Sequence, residues 1–199
     1  MVPLAPARES ITGVILAGGL GTRMGGADKG LVVLDGIALI EHVLARLRPQ
    51  VGEIIISANR NLDRYRTLGH RVVQDDAARF GAFSGPLVGM LAGLRHTCMP
   101  WVVFVPCDAP ALSADLVAML ASATGGVHPA LASCGGRRQP VFCLLPAALE
   151  PRLTAALSNG ERRPDEFLRT VGAIEVAFDD AHAFSNINAM EPDRQGSHD

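Results

Sequence analysis

The stretch with the clearest chemical potential is Leu16-Ala17-Gly18-Gly19-Leu20-Gly21-Thr22-Arg23-Met24-Gly25-Gly26-Ala27-Asp28-Lys29. Five glycines in nine residues allow sharp bends that turn successive N–H groups inward, and such a nest suits anionic oxygens. Arg23 and Lys29 add two positive charges beside it. Among the 18 basic side chains, Lys29 is the only lysine. Arginine fills every other cationic position, so the one lysine inside this run is suggestive. Together these features describe a triphosphate site.

The same loop has other readings. It could be a mobile surface loop with solvated charges. Gly19-x-Gly21-x-x-x-Gly25 loosely matches a dinucleotide fingerprint, but that motif wants an acid at the end of the second strand. Here that strand ends Ser57-Ala58-Asn59-Arg60. A Walker loop needs Gly-Lys-Ser/Thr, and the chain has Asp28-Lys29-Gly30.

A second motif is Trp101-Val102-Val103-Phe104-Val105-Pro106-Cys107-Asp108-Ala109-Pro110. An apolar run delivers one acid, Asp108, to its end. Mg²⁺ prefers hard oxygen ligands and often takes one or two carboxylates plus substrate phosphates. A turn-forming Asp before Pro110 is the plainer alternative. Cys107 reads as a buried structural thiol. The six histidines show no metal-ligand spacing.

Taken together, the glycine run and Pro-Cys-Asp-x-Pro resemble the signature of the molybdenum cofactor guanylyltransferases, within the superfamily of nucleoside triphosphate transferases. The resemblance spans about residues 11–191. It implies that Leu16, Ala17, Gly18 and Gly19 contact GTP, that Arg23 and Lys29 neutralise the pyrophosphate leaving group, and that Asp108 holds Mg²⁺. Gly18 favours GTP, because similar CTP enzymes tend to carry alanine there and guanine is the larger base. Asp75, after Val72-Val73-Gln74, matches a position that contacts nucleotide, although a strand-end cap explains it equally. Ser57-Ala58-Asn59 corresponds to Asn-Ala-Asn in relatives, so Ser57 is a departure and Asn59 is kept. Gly85-Pro86-Leu87-x-Gly89 opens a helix whose N-terminus suits a nucleotide, or is simply a helix start. Asn186 and Asn188 match an Asn-x-Asn element at the active site, and Asn-rich turns also occur without function. Arg162 and Arg163 are candidates to grip the phosphate of the pterin, or are a solvated surface pair. The partners implied are GTP and molybdopterin cofactor, with transient contacts to cofactor-biosynthesis or molybdoenzyme proteins.

The elements that must position these residues follow from hydrophobic periodicity. Strands are predicted at 11–17, 53–57, 71–74, 101–105, 129–134, 139–145 and 174–178. Helices are predicted at 37–47, 86–96 and 114–122, the last capped by Ser113. A further helix is expected from Pro146 to near Gly160. Strands alternating with helices predict an α/β fold of three layers, with a mostly parallel central sheet and helices on both faces, Rossmann-like. Such sheets bind ligands beyond the carboxyl ends of their strands, where every motif above falls.

Composition sets outer bounds. At 199 residues, with 48% hydrophobic and 19% charged residues, one domain over 11–191 is expected, with flexible tails at 1–10 and 192–199. A net charge of −2 gives no case for nucleic acid. No run reaches the roughly 18 apolar residues of a membrane span, and the N-terminus does not read as a signal peptide. A cytoplasmic location and free thiols at Cys98, Cys107, Cys134 and Cys143 are therefore expected. The rival functions are a CTP or sugar-phosphate transferase, a nicotinamide oxidoreductase, and a non-catalytic nucleotide or cofactor carrier.

Overall fold

The computed structural model describes residues 4–19, 28–81 and 85–186. Its centre is a seven-stranded sheet. Strand β1 (Ile11–Leu16) is apolar on both faces and pairs in parallel with β4 (Glu53–Ser57) and β6 (Trp101–Pro106). Strand β5 (Arg71–Val73) pairs in parallel outside β4. On the other side, β8 (Arg137–Pro146) runs antiparallel to β6 and to β7 (Ala130–Cys134), and β9 (Ile174–Phe178) runs parallel to β7. The order is β5-β4-β1-β6-β8-β7-β9, so β8 alone is reversed. A separate two-stranded hairpin, β2 (Val33–Leu34) and β3 (Ile37–Ala38), follows the glycine-rich segment.

Both faces are covered, as an apolar parallel sheet requires. One face carries α1 (Leu39–Leu47), α2 (Leu62–Arg66) and α5 (Leu116–Thr124), which bury Ile40, Val43, Tyr65, Leu116 and Leu120 against Ile15, Ile56 and Val105. The other carries α4 (Pro86–His96), α6 (Glu150–Ser158) and α7 (Pro164–Thr170). Their Leu87, Leu91, Leu153 and Phe167 pack with Val14, Ile55 and Phe104. A short α3 (Ala77–Phe80) adds Phe80 to that second cluster. The three-layer α/β expectation is met.

Local departures have physical reasons. The helix predicted from Ile37 starts at Leu39, because Asp35 and Gly36 adopt positive φ (51° and 82°) and turn a hairpin that uses Ile37-Ala38 as its second strand. Ser113 is not the cap of α5. Its Oγ accepts the Asp115 N–H at 3.2 Å, a local turn that delays the helix to Leu116. Pro146 closes β8 opposite Trp101, and it is Pro151 that sits in the first turn of α6. The expected N-terminal tail is partly packed: residues 8–10 form a 3₁₀ turn, and Arg8 Nε donates to the Val51 carbonyl at 3.2 Å. Residues 192–199 lie outside the described residues. Among the described residues no helix is long and apolar enough to cross a membrane, and all four cysteines are free, with Cys107 and Cys143 buried.

Candidate active site

Parallel register brings three strand ends together: Leu16 of β1 lies opposite Ser57 of β4 and Pro106 of β6. Two backbone bonds carry the pairing past the sheet, from Ala17 N–H to Ser57 O (2.8 Å) and from Cys107 N–H to Leu16 O (3.2 Å). A cavity of about 370 Å³ opens there, lined by Leu16, Ala17, Gly18, Gly19, Lys29, Ser57, Asp75, Gly85 and Asp108 together with Pro86, Gly89, Pro106, Cys107 and Val141. It lies at the carboxyl ends of the strands beside the reversal of strand order, where an α/β sheet leaves room for a ligand.

Asp108 is 5% exposed. A buried carboxylate needs a partner, and Lys29 Nζ donates to its Oδ2 at 3.0 Å. The two motifs read separately from sequence, 79 positions apart, thus meet in one ion pair. Burial, with the negative charges of Asp108 and Asp28 nearby, pushes the Cys107 thiol up, which keeps it a neutral packing group. Among the described residues no group of three or more His, Cys, Asp or Glu side chains forms a metal cage. A cleft carboxylate such as Asp108 suits a divalent cation that completes its shell with substrate phosphates.

On the opposite wall Asp75 is held by Asn59 in a two-bond ring. Asn59 Nδ2 donates to Asp75 Oδ2 at 2.7 Å, and the Asp75 N–H donates to Asn59 Oδ1 at 3.0 Å. Ser57 Oγ lies 3.4 Å from Asp75 Oδ1, so the hydroxyl at this position meets the carboxylate. Burial raises the Asp75 pKa, opposed by the bonds from Asn59 and Ser57. A raised folded-state pKa means that ionised Asp75 is held at a cost above that pKa, and that the cost vanishes as pH falls below the unfolded value. Asp75→Asn keeps the shape without the charge. It is expected to raise Tm at pH 7, with the gain shrinking in acid. Thermal melts across pH check this, and a pH-independent Tm difference would remove the charge explanation.

Gly18 has a specific reason to lack a side chain. A Cβ there would sit 2.9 Å from Asn59 Nδ2. The space left by the missing Cβ is filled by the amide that orients Asp75. Gly18→Ala is therefore expected to weaken binding of the nucleotide expected from the sequence by about tenfold, the scale of one displaced buried hydrogen bond. Titration of both forms with GTP and CTP checks it, and an unchanged affinity would show that Asn59 yields freely.

The remaining expected residues fall elsewhere. Arg23 and Asn188 lie outside the described residues. Arg162 Nη1 caps α6 through the carbonyl of Leu157 (2.9 Å) and also donates to the carbonyl of its neighbour Glu161 (2.7 Å), while its own carbonyl lies 3.3 Å from where a Gly85 Cβ would be. Arg163 is 75% exposed and pairs with Glu166 at 3.4 Å. Asn186 is exposed just after Phe184, which packs edge-to-face on Phe142 and Phe178 (5.0 and 5.3 Å). None of these three lines the cavity. The sequence reading omitted Pro86, Gly89, Pro106, Cys107 and Val141 as wall residues. The first four stand inside motifs already quoted. Val141 carries no local signal and arrives because β8 pairs with β6.

A doubly covered sheet with a glycine-flanked cavity and a Lys–Asp pair at its strand ends defines a nucleotide-handling α/β protein. The comparisons narrow the class: the chain belongs to the MobA-like NTP transferase domain family, whose model matches residues 13–174, and it is a nucleotidyltransferase. It is 50% identical to the molybdenum cofactor guanylyltransferase of Serratia proteamaculans, over 92% of each chain. It is 47% identical to that of Cupriavidus taiwanensis, over 93% of this chain and 95% of the relative. Among solved structures, the fold matches a molybdopterin-guanine dinucleotide biosynthesis protein A from Archaeoglobus fulgidus (TM-score 0.66, 21% identity, 83% of each chain). It also matches a nucleotidyl transferase from Methanothermobacter thermautotroptrophicus (TM-score 0.69, 22% identity, 89% of this chain and 91% of that one).

Proposed function

We propose that this chain transfers GMP from GTP to the phosphate of molybdopterin cofactor, forming the guanine dinucleotide cofactor and releasing pyrophosphate. The observation that carries the reading is the Lys29–Asp108 pair, 3.0 Å apart in the cavity bordered by Gly18 and Gly19. A cation and a carboxylate at one spot support reading the first as a partner for a leaving phosphate and the second as a metal ligand. The acceptor is inferred from the names of the relatives.

In this reading a pterin phosphate oxygen attacks the α-phosphorus of GTP. The bond from that phosphorus to the bridging oxygen breaks, and pyrophosphate leaves with the electron pair. A phosphate monoester is already nucleophilic, so no side-chain base is needed. Asp108 would hold a divalent cation, with Mg²⁺ the best match to a carboxylate-and-phosphate shell. When bound, that ion supplies charge neutralisation and polarisation of the α-phosphate. Lys29, beside Asp108, supplies positive charge to the leaving group, and Arg23 supports it. Asp75 accepts from the N–H edge of guanine, aligned by Asn59. Arg163 and Asn186, together with Asn188, are the candidates for the acceptor phosphate, whereas the Arg162 fork must first leave the end of α6.

The test is pyrophosphate release with Mg²⁺, comparing GTP, CTP and ATP with and without molybdopterin cofactor. Release that requires both GTP and the cofactor supports the proposal. Release with CTP moves the chain to cytidylyl transfer, and no release under any condition sinks the acceptor assignment.

A further inference from the structure

A cluster outside the cavity holds both described ends of the glycine-rich segment. Asp28, immediately before Lys29, has a side chain only 6% exposed. Its Oδ1 accepts from the Tyr65 hydroxyl at 2.5 Å and its Oδ2 from Asn61 Nδ2 at 2.9 Å, with Arg60 Nε 3.6 Å away. The same Arg60 donates through Nη2 to the carbonyl of Gly19 at 3.3 Å. One guanidinium therefore spans the entry and the exit of the segment. Asn61 adopts positive φ (50°) at the N-cap of α2, yet its side chain makes no cap bond and serves Asp28 instead. A residue in the left-handed region that gives up its capping bond marks a conformation dictated by tertiary contacts.

Tyr65 is fully buried, and burial pushes its phenol pKa up, so it stays a donor to Asp28. Gly30 fits beneath it only because it has no side chain. A Cβ there would lie 2.6 Å from the Tyr65 oxygen and 3.3 Å from Cys107 Cβ. The 3₁₀ turn Lys29–Leu31, closed by Leu31 N–H to Asp28 O (3.0 Å) and Val32 N–H to Lys29 O (3.2 Å), is thus wedged between Tyr65 and the residue preceding Asp108.

We infer that Tyr65, Asn61 and Arg60 form a clamp that acts through Asp28 to position Lys29 against Asp108. They are positioning residues, since Tyr65, Asn61 and Arg60 do not line the cavity. A lysine stem is flexible, and a misplacement of about 1 Å is enough to cost as much as a hundredfold in rate. Fixing the backbone at residue 28 limits where the ammonium can go. The catalytic part of this inference rests on the nucleotidyl transfer proposed above; the structural part does not.

The test has two arms on the full chain. In hydrogen exchange without substrate, the Leu31 and Val32 amides should exchange about tenfold faster in Tyr65→Phe than in the parent, the scale of one lost bond to a charged group, while β1, β4 and β6 keep their protection. Unchanged exchange at both amides overturns the clamp whatever the enzyme catalyses. In turnover, Tyr65→Phe should lower kcat about tenfold with KM for GTP within about threefold. Lys29→Met and Lys29→Met/Tyr65→Phe should differ by less than about twofold, because the phenol acts through the lysine. A tenfold loss that persists in the Lys29→Met background overturns positioning and leaves only a structural role. Arg60→Gln, whose parent side chain is partly exposed, repeats both arms if Tyr65→Phe folds poorly. Absence of turnover in the parent would count against the proposed function alone, with the exchange arm still deciding the clamp.

Discussion

Asp108→Ala is expected to lower GMP transfer by at least about a thousandfold while GTP affinity changes by less than about tenfold. Six consecutive buried residues of β6 lead to this carboxylate, and the sheet gives it little freedom to be replaced by a neighbour. Among the described residues no cluster of three ligands stands ready as a substitute cage. Under the proposed function, alanine removes the carboxylate that would hold the metal, whose value is greatest as charge develops on the phosphates. The nucleotide should still bind, because Ala17 to Gly19, Asp75 and Gly85 remain around the cavity. Pyrophosphate release paired with titration of a fluorescent GTP analogue separates the two effects. Full turnover in the variant would remove Asp108 from phosphate chemistry and restore the turn-forming role that Ala109-Pro110 suggests.

Lys29→Met is expected to cost about a hundredfold, mostly in kcat, since the positive charge matters most when pyrophosphate departs. Methionine keeps much of the stem and removes the ammonium. Lys29 is 28% exposed at its side chain, so its tip reaches the cavity and is not sealed in the core. Lys29→Arg should recover only part of the loss, because a planar fork cannot occupy the place of a compact ammonium beside Asp108. Steady-state kinetics of the three forms check this order. An arginine variant at full activity would show that charge alone is required, and a methionine variant at full activity would exclude Lys29 from leaving-group stabilisation.

Much of this arrangement was legible in the sequence because its signals are local and chemical. The apolar runs of β1, β4 and β6 give their strands, and the helix at Pro86–His96 and the strand at Ile174–Phe178 fall where periodicity places them. Lys29 and Asp108 were each readable from the loop that holds them. Their contact was not, since it depends on β1 and β6 being neighbours in the sheet. Elements set by tertiary packing stayed hidden. The hairpin at 33–38 has two-residue strands, too short for a periodic signal, and its second strand runs directly into the apolar stripe of α1. Short α2 shows no stripe of its own and is identified by what Tyr65 does for Asp28. Arg162 looked like a phosphate fork because composition says nothing about the end of α6, where its guanidinium finds carbonyls already waiting.

Because the chain has a single lysine and the structure sets it beside Asp108 in the cavity, the protein carries one ε-amine with a unique address. An amine-selective acylating reagent therefore reads the state of the active site by mass alone. Each added acyl group beyond the one on the α-amine reports one Lys29 that neither carboxylate nor nucleotide was shielding. The same uniqueness lets a probe, a crosslinker or a surface tether be installed at this cavity without engineering the rest of the molecule.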